Sequence, residues 1–388
     1  MKRNVSYQSN KGRTAAFVAA VALATIGIAL YMITGGNLLK ITDFIRPNAE
    51  VESAPPIASG QTDKKQYQEK DNISSDNPAS SPQPSSVHNS QLDEYRRYAL
   101  EKINEDRQKF GKQPVYLSTN VAAQVHAEEL VQTRHLSHWT TDGMKPYMRY
   151  SVNGGIGYVA QNAAAQYTQI DDPVFKSRID ACKRGLAYCD PVDIKKAIDT
   201  AEYNMMYNDA ESEWGHKDNI LDKYHTHVSI GIAYDSVDFA MVQNFENQYI
   251  MWDKQIGYEK STGIVTMKGK IEGDIELQTI NIYYDPLPKS QTYGDNYNKT
   301  SYGGGTLEAL VVKPAPFGYT YPETQGYMIM VANKWDITNN GTAEQFAIEF
   351  SLNRLSSQYG DGAYTVILWG KDKSEGNIPL TNIALFKN

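Results

Sequence analysis

The 388-residue chain has only two cysteines, Cys182 and Cys189. A multi-disulfide scaffold is therefore excluded, and a chain of this length can build two ordinary hydrophobic cores without one. Positive charge is also in short supply. Lys and Arg number 38 against 45 Asp and Glu, a formal net charge of −7. Four of the basic groups (Lys2, Arg3, Lys11, Arg13) precede the first long apolar run, so the remainder is more acidic still. Such a body binds DNA or RNA poorly, because that affinity rests on Lys and Arg neutralising phosphate, and no nucleic-acid partner is expected. The phosphate loops G-x-x-x-x-G-K-[S/T] and G-x-G-x-x-G are missing, as are the zinc-protease H-E-x-x-H and the nucleophile elbow G-x-S-x-G. Gly303-Gly304-Gly305 has no helical pattern after it and reads as a loop. Wholesale disorder is excluded by a hydrophobic content of 41% and 27 Tyr.

What is present begins with Ala15 to Ile33, which carries no charge and no proline. At ~1.5 Å rise this run spans about 28 Å, near the hydrocarbon thickness of a bilayer. It has no polar face to show to water, so a membrane segment is expected rather than a buried core helix. The residues that follow offer no small-x-small cleavage site, which favours an uncleaved signal anchor over a removable signal peptide. Basic residues crowd ahead of it, and only Lys40 and Arg46 closely follow. The N-terminus is then cytoplasmic and the body extracellular, a single-pass cell-membrane protein. The resulting plan is a basic tail at 1–14, an anchor at 15–34 and a flexible linker at 35–90. The linker is rich in Pro and Ser and nearly empty of aliphatic side chains, so it cannot offset its own ordering entropy. In an exported compartment Cys182 and Cys189 can pair into a small disulfide loop; the competing zinc reading lacks a partner pair. Asn72, Asn298 and Asn340 each start an N-x-S/T sequon.

Residues 91–250 mix helix and strand patterns. Leu92, Tyr95, Ala99, Ile103 and Phe110 fall near helical spacing, and Gly111 ends the run. Ser118 or Thr119 is expected to cap a second helix over about 120–134, and a third runs from about Pro191 to Met206. Val228, Ile230 and Ile232 alternate with Ser229, Gly231 and Ala233, which predicts a half-buried strand at 228–234; another follows at 239–245. From 251 to 388 the texture is strand-like, with runs at 264–271, 275–284, 306–312, 327–331, 345–352, 363–369 and 380–386. Turn residues separate them, which predicts an antiparallel β-sandwich. Asp361-Gly362-Ala363-Tyr364 resembles the tyrosine corner of immunoglobulin-like sandwiches.

Six of the seven histidines lie between 126 and 227. His126, mid-helix in AAQVHAEEL, and His135 read as structural. The segments around the others carry a family pattern: Ile103-Asn104 with Arg107, Pro114 to Ser118, His126-Ala127 with Leu130, Ser137-His138 before Asp142-Gly143, and Trp214-Gly215-His216-Lys217-Asp218-Asn219-Ile220-Leu221. His225 to Ala233 and Gln243-Asn244-Phe245 complete it. In this order the motifs resemble the CAP superfamily, the SCP-like extracellular domain, over about residues 91–250. The resemblance implies an α-β-α sandwich with a cleft of two His and two acidic residues, which in some members holds zinc or another divalent ion. By motif the two histidines are His138 and His216, and Glu211 or Glu213 is the acid ahead of the second. Two positions depart from the pattern. The G-E-N turn reads Ala160-Gln161-Asn162, and T-E-V-G reads Thr226-His227-Val228-Ser229. Gln161 is no general base, while His227 adds a third imidazole to the candidate metal ligands. His225 and His227 are expected to share the strand face opposite Val228, Ile230 and Ile232.

The fold class expected is α+β: an N-terminal transmembrane anchor, a CAP-type α-β-α sandwich, then an all-β immunoglobulin-like sandwich. The function expected is a membrane-anchored, non-enzymatic cell-surface binding or adhesion module. Its partners are the membrane, through the N-terminal helix, and a surface ligand (protein, glycan or lipid). A zinc-dependent, peptidase-like hydrolase using the His pair is the alternative, and a lipid-binding carrier the third reading.

Overall fold

The computed structural model describes residues 86–388 apart from 169–172, 292–294, 296–298, 300, 323–325, 340–342 and 375. The expected tail, anchor, most of the linker and all three sequons lie outside the described residues. Among the described residues no helix is long and apolar enough to cross a membrane.

Helix α1 (Ser86–Lys109) starts inside the stretch read as linker, buries Leu92, Ala99 and Ile103, and stops before Gly111, whose φ is 68°. After the short strand β1 (Tyr116–Leu117) comes α2 (Ala122–Thr133). Its entry is fixed by Asn120, whose Oδ1 accepts the Ala122 N–H at 2.9 Å; Ser118 Oγ accepts the Asn120 N–H one step earlier, at 3.2 Å. Then follow α3 (Pro146–Val152), β2 (Tyr158–Gln166), α4 (Pro173–Lys183) and α5 (Ile194–Tyr207). Asp193, rather than Pro191, opens α5, accepting the Lys196 N–H at 3.1 Å. Cys182, in the last turn of α4, pairs with Cys189 in the loop that follows. A short α6 (Gly215–Ile220) precedes β3 (His227–Tyr234) and β4 (Phe239–Asn247).

These strands form one sheet in the order β1-β3-β4-β2, with only the β1–β3 pair parallel. Val228, Ile230, Ile232, Met241 and Phe245 face Ile103 of α1 and Ile194, Ile198 and Met205 of α5 in one buried cluster. Each large side chain there contributes roughly 1.5–3 kcal/mol of burial. On the other face Ala233, Ala240 and Val242 meet Ala123, Ala127 and Leu130 of α2. β3 is therefore buried on both faces, not half-buried. Its small residues are small because α2 lies directly on them: a Cβ on Gly231 would stand 2.0 Å from the Ala123 carbonyl oxygen.

The second half begins with β5 (Ile250–Glu259), β6 (Ile264–Glu272), β7 (Ile275–Asp285), β8 (Thr306–Val312), β9 (Met328–Val331), β10 (Lys334–Asn339) and β11 (Ala343–Ser351). A helix α7 (Asn353–Tyr359) leads to β12 (Gly362–Asp372), β13 (Asn377–Pro379) and β14 (Ile383–Lys387). Two sheets result, β10-β11-β6-β5 and β13-β12-β7-β8-β9, with β14 also on β12. Val265, Met267, Phe346 and Phe350 of the first share one core with Ile280, Ile282, Val311, Val366 and Leu368 of the second. The expected all-antiparallel pairing fails at one place: β8 and β9 run parallel. The connection between them is too long for a hairpin, which frees the chain to return in the same direction. Tyr364 donates its hydroxyl hydrogen to the Gly360 carbonyl at 2.5 Å, the contact a tyrosine corner requires.

The two halves pack against each other, a question the sequence leaves open. Tyr147, Met148, Tyr150 and Val159 belong to the same core as the sandwich residues. Asn382 pairs with Val159 like a neighbouring strand, accepting its N–H at 3.0 Å and donating to its carbonyl at 2.9 Å. Lys145 forms an ion pair with Asp285 at 2.7 Å, and Tyr147 donates to the same carboxylate. Trp252 donates from Nε1 to the Ile156 carbonyl at 2.7 Å.

Candidate functional site

Adjacent residues on a strand point to opposite faces, and β2 uses this to build two polar clusters around one sheet edge. Gln161 and its cross-strand partner Asn244 lie on the α2 face; Asn162 and Gln243 lie on the α5 face.

On the Gln161 side, His138 Nδ1 donates to Gln161 Oε1 at 3.0 Å, and Gln161 Nε2 donates to Asn244 Oδ1 at 2.9 Å. The ring of Tyr302, from the connection between β7 and β8, stands edge-on to His138 at 4.9 Å. Its hydroxyl oxygen accepts the Gln161 backbone N–H at 3.0 Å. Beneath them Arg149 is fully enclosed. It donates to the Met144 and His138 carbonyls at 2.8 and 3.0 Å and to His126 Nδ1 at 2.9 Å. Burial pulls the guanidinium down to about 10, so it keeps its charge at neutral pH. Burial, with Arg149 beside it, drives His126 well below the usual imidazole range, so this histidine is neutral and structural.

On the Asn162 side, the amide donates to the His216 carbonyl at 3.1 Å and to Gln243 Oε1 at 3.3 Å, and accepts from Asn219 Nδ2 at 2.9 Å. Gln243 in turn donates to Glu202 Oε2 at 2.7 Å, while Glu202 Oε1 has no partner. Burial without a counter-charge pushes the Glu202 carboxyl up to about 8. The His216 ring is held by Asp209: Nδ1 lies 2.6 Å from Oδ1. The second oxygen of Asp209 accepts the backbone N–H groups of His216 and Lys217 at 2.9 and 3.2 Å. Asp209 itself is buried.

The candidates read from sequence thus separate. His138 and Gln161 meet directly. His216 comes to the same strand edge from the other face. Glu211 and Glu213 are exposed, and the carboxylate on His216 is Asp209, which no spacing signal distinguished from its acidic neighbours. His227 opens β3 beside Tyr116, with ring centres 5.8 Å apart, and bonds Thr226 Oγ1. His225 is not on its face as expected. It precedes the strand, stacks on Phe245 at 5.3 Å and bonds Asn219 and Asn247. Among the described residues no three His, Cys, Asp or Glu side chains come together as a metal ion would need. A divalent ion on His138 and His216 lacks its third strong donor, because Gln161 offers only a neutral oxygen that already accepts a hydrogen bond. Arg149, Glu202 and Tyr302 carried no sequence signal either, since each acquires its role through contacts distant in the chain. A cavity of about 760 Å³ lies elsewhere, behind the disulfide loop, and is lined by Arg178, Ile179, Cys189, Val192, Lys196 and Thr200 among others.

Two of the solved structures that resemble the chain carry SCP or CAP domains. One is an extracellular protein containing a SCP domain from Bacillus anthracis str. Ames: 16% identity, covering 43% of this chain and 45% of that one, with a TM-score of 0.29. The other is the CAP domain of Enterococcal PrgA: 14% identity, covering 43% and 65%, with a TM-score of 0.27. The chain thus spans less than half of the first structure's length and under two thirds of the second's. No curated protein matches it. The family model that matches is CAP, the Cysteine-rich secretory protein family, at residues 100–245, the segment holding the α-β-α layers and both histidine clusters. Residues 100–245 thus match a CAP domain of the Cysteine-rich secretory protein family, and a β-sandwich follows them in this chain.

Proposed function

We propose that the chain is a non-enzymatic binding or adhesion module of the cell surface, tethered through Ala15–Ile33 and facing outward. The observation that carries this reading is Gln161. Where the family resemblance puts a carboxylate, this chain has an amide engaged by His138, Asn244 and Arg149. An amide takes no proton near neutral pH and is a weak metal ligand, so this half of the cleft has neither a carboxylate base nor an anionic donor. The packed β-sandwich, immunoglobulin-like in its Tyr364 corner, adds a second surface for ligand. The anchor is the reading of an uncharged run long enough to span a bilayer.

A hydrolase is favoured by one observation only. The Asp209–His216 contact has the form of a carboxylate orienting an imidazole through Nδ1. The test is cleavage of casein and of p-nitrophenyl acetate by the full chain with added zinc, beside a His138→Ala/His216→Ala double variant. The expected result is no activity above the double variant. A chelator-sensitive activity that the double variant lacks would replace the module with the hydrolase.

A further inference from the structure

Beside His216 the surface changes character. Four aromatic side chains stand open to solvent there: Phe110 at 43% exposure, Tyr203 at 61%, Tyr207 at 39% and Trp214 at 42%. They are linked into one patch. The Lys217 ammonium lies 5.1 Å from the ring centres of both Phe110 and Trp214. Tyr203 and Tyr207 face each other at 5.4 Å. The Tyr207 hydroxyl donates to Asp106 Oδ1 at 2.6 Å, the same oxygen that Lys109 contacts at 2.9 Å, and Phe110 follows Lys109 in the chain.

The backbone is strained to display this patch. Glu213 and Trp214 are consecutive left-handed residues, with φ of 52° and 65°. Each such residue other than Gly costs roughly 1–2 kcal/mol. Asp209 holds the turn: its carbonyl accepts the Trp214 N–H at 3.0 Å, and its carboxylate takes the next two free backbone N–H groups. In this conformation the Trp214 ring stands partly open to solvent.

We infer that this patch is a binding face for a neutral glycan chain, an inference that rests on the binding-module reading above. Sugar rings offer C–H faces that pack on aromatic faces, and hydroxyls that donate to carboxylates at the rim. Both are present here, the rim being Glu211 and Glu213, which are exposed. Two features set this face apart from a lipid or protein contact. Its exposed apolar side chains are all aromatic, whereas those on α2, α3 and α4 are aliphatic (Val125, Val152, Val174). Its cations are already engaged, Lys217 between two rings and Lys109 on Asp106, while the rim is acidic. An anionic bilayer or a polyanionic glycan meets repulsion there. Tyr207, held through its hydroxyl, and Trp214, whose ring Lys217 contacts, present their rings pre-oriented, which lowers the entropy lost on binding.

The test is retention of the full-length chain on insoluble chitin and on cellulose, with heparin beads and phosphatidylglycerol vesicles as anionic probes. The expected result is retention on a neutral polysaccharide, weakened about tenfold or more in Trp214→Ala and less in Tyr203→Ala. Trp214→Phe keeps an aromatic face and should retain most of the affinity; with Tyr203→Ala it decides the matter if Trp214→Ala does not fold. Val174→Ser, on α4, should bind as the parent does. Retention on neither polysaccharide, or retention that none of the aromatic variants weakens, overturns the inference. Binding to heparin or vesicles alone overturns the glycan and leaves a binding module. Chelator-sensitive hydrolysis, measured separately, overturns the module itself.

Discussion

Among the ionisable side chains buried on the two faces of the β2–β4 edge, Arg149 and Glu202 behave oppositely. On the Gln161 face Arg149 keeps its charge; on the Asn162 face Glu202 gives its charge up near neutral pH. The difference lies in where each group starts, a guanidinium far above neutrality and a carboxyl below it, and in their partners. Arg149 finds backbone carbonyls at Met144 and His138, and the Glu129 and Asp142 carboxylates favour its charge from further away. Glu202 finds one amide donor, and its other oxygen has none. A buried charge survives where enough fixed dipoles point at it and is neutralised where they do not. The histidines follow the same division. His138 depends on a distant part of the chain, through Tyr302 of the sandwich, whereas His216 is held locally by Asp209.

The largest effect expected is from Arg149→Met. It strips donors from two buried carbonyls and from His126, and should cost about 4 kcal/mol in urea unfolding. Equal stability to the parent would mean the charge is not needed on that face. Glu202→Gln should act in the other direction. The carboxyl is neutral in the folded chain up to pH about 8, while in the unfolded chain it ionises above its ordinary value of 4.5. The folded state therefore binds the extra proton between these limits, and stability falls as pH rises through them. Glu202→Gln removes that dependence, so it should exceed the parent by about 4 kcal/mol at pH 8 and converge with it below pH 4.5. A gap that does not vary with pH contradicts this assignment.

Asp209→Ala should cost about 2 kcal/mol, since three hydrogen bonds and the strained Glu213–Trp214 turn rest on it. Nitrogen-15 NMR of the imidazoles should show His216 losing its fixed tautomer while His138 keeps its own. Tyr302→Phe is the smallest change, about 1 kcal/mol for the Gln161 N–H acceptor it removes. It should perturb the His138 signals and leave those of His216 in place. If both histidines respond to both variants, the division into a local and a long-range half is wrong.

Much of the fold was legible because hydrophobic period is a local property. Val228, Ile230 and Ile232 marked β3, and every strand expected from residue 264 onward is present within a few residues. The Cys182–Cys189 pair formed as expected. β2 escaped notice because Ala160 to Ala165 is rich in alanine and amides and has no β-branched residue. β5 was missed because its polar and apolar residues do not alternate cleanly; its register against β6 slips twice. The burial of Ser229 and Gly231 was unreadable because small residues look alike on a solvated face and under a helix. The site was legible only as far as local motifs reach. His138, Gln161 and His216 stood in recognisable surroundings, but Asp209 looked like any surface acid. Tyr302 comes from the second half of the chain, and nothing near it in sequence points to His138.

The measurement that tests the cleft most directly is the metal content of the full chain after incubation with zinc at neutral pH, read by mass spectrometry beside His138→Ala and His216→Ala. Two histidines on opposite faces of one strand edge, bonded to an amide and to a buried carboxylate, predict well under one zinc per chain and no difference among the three proteins. One zinc per chain, lost in both variants, would contradict the account and make the cleft a metal centre.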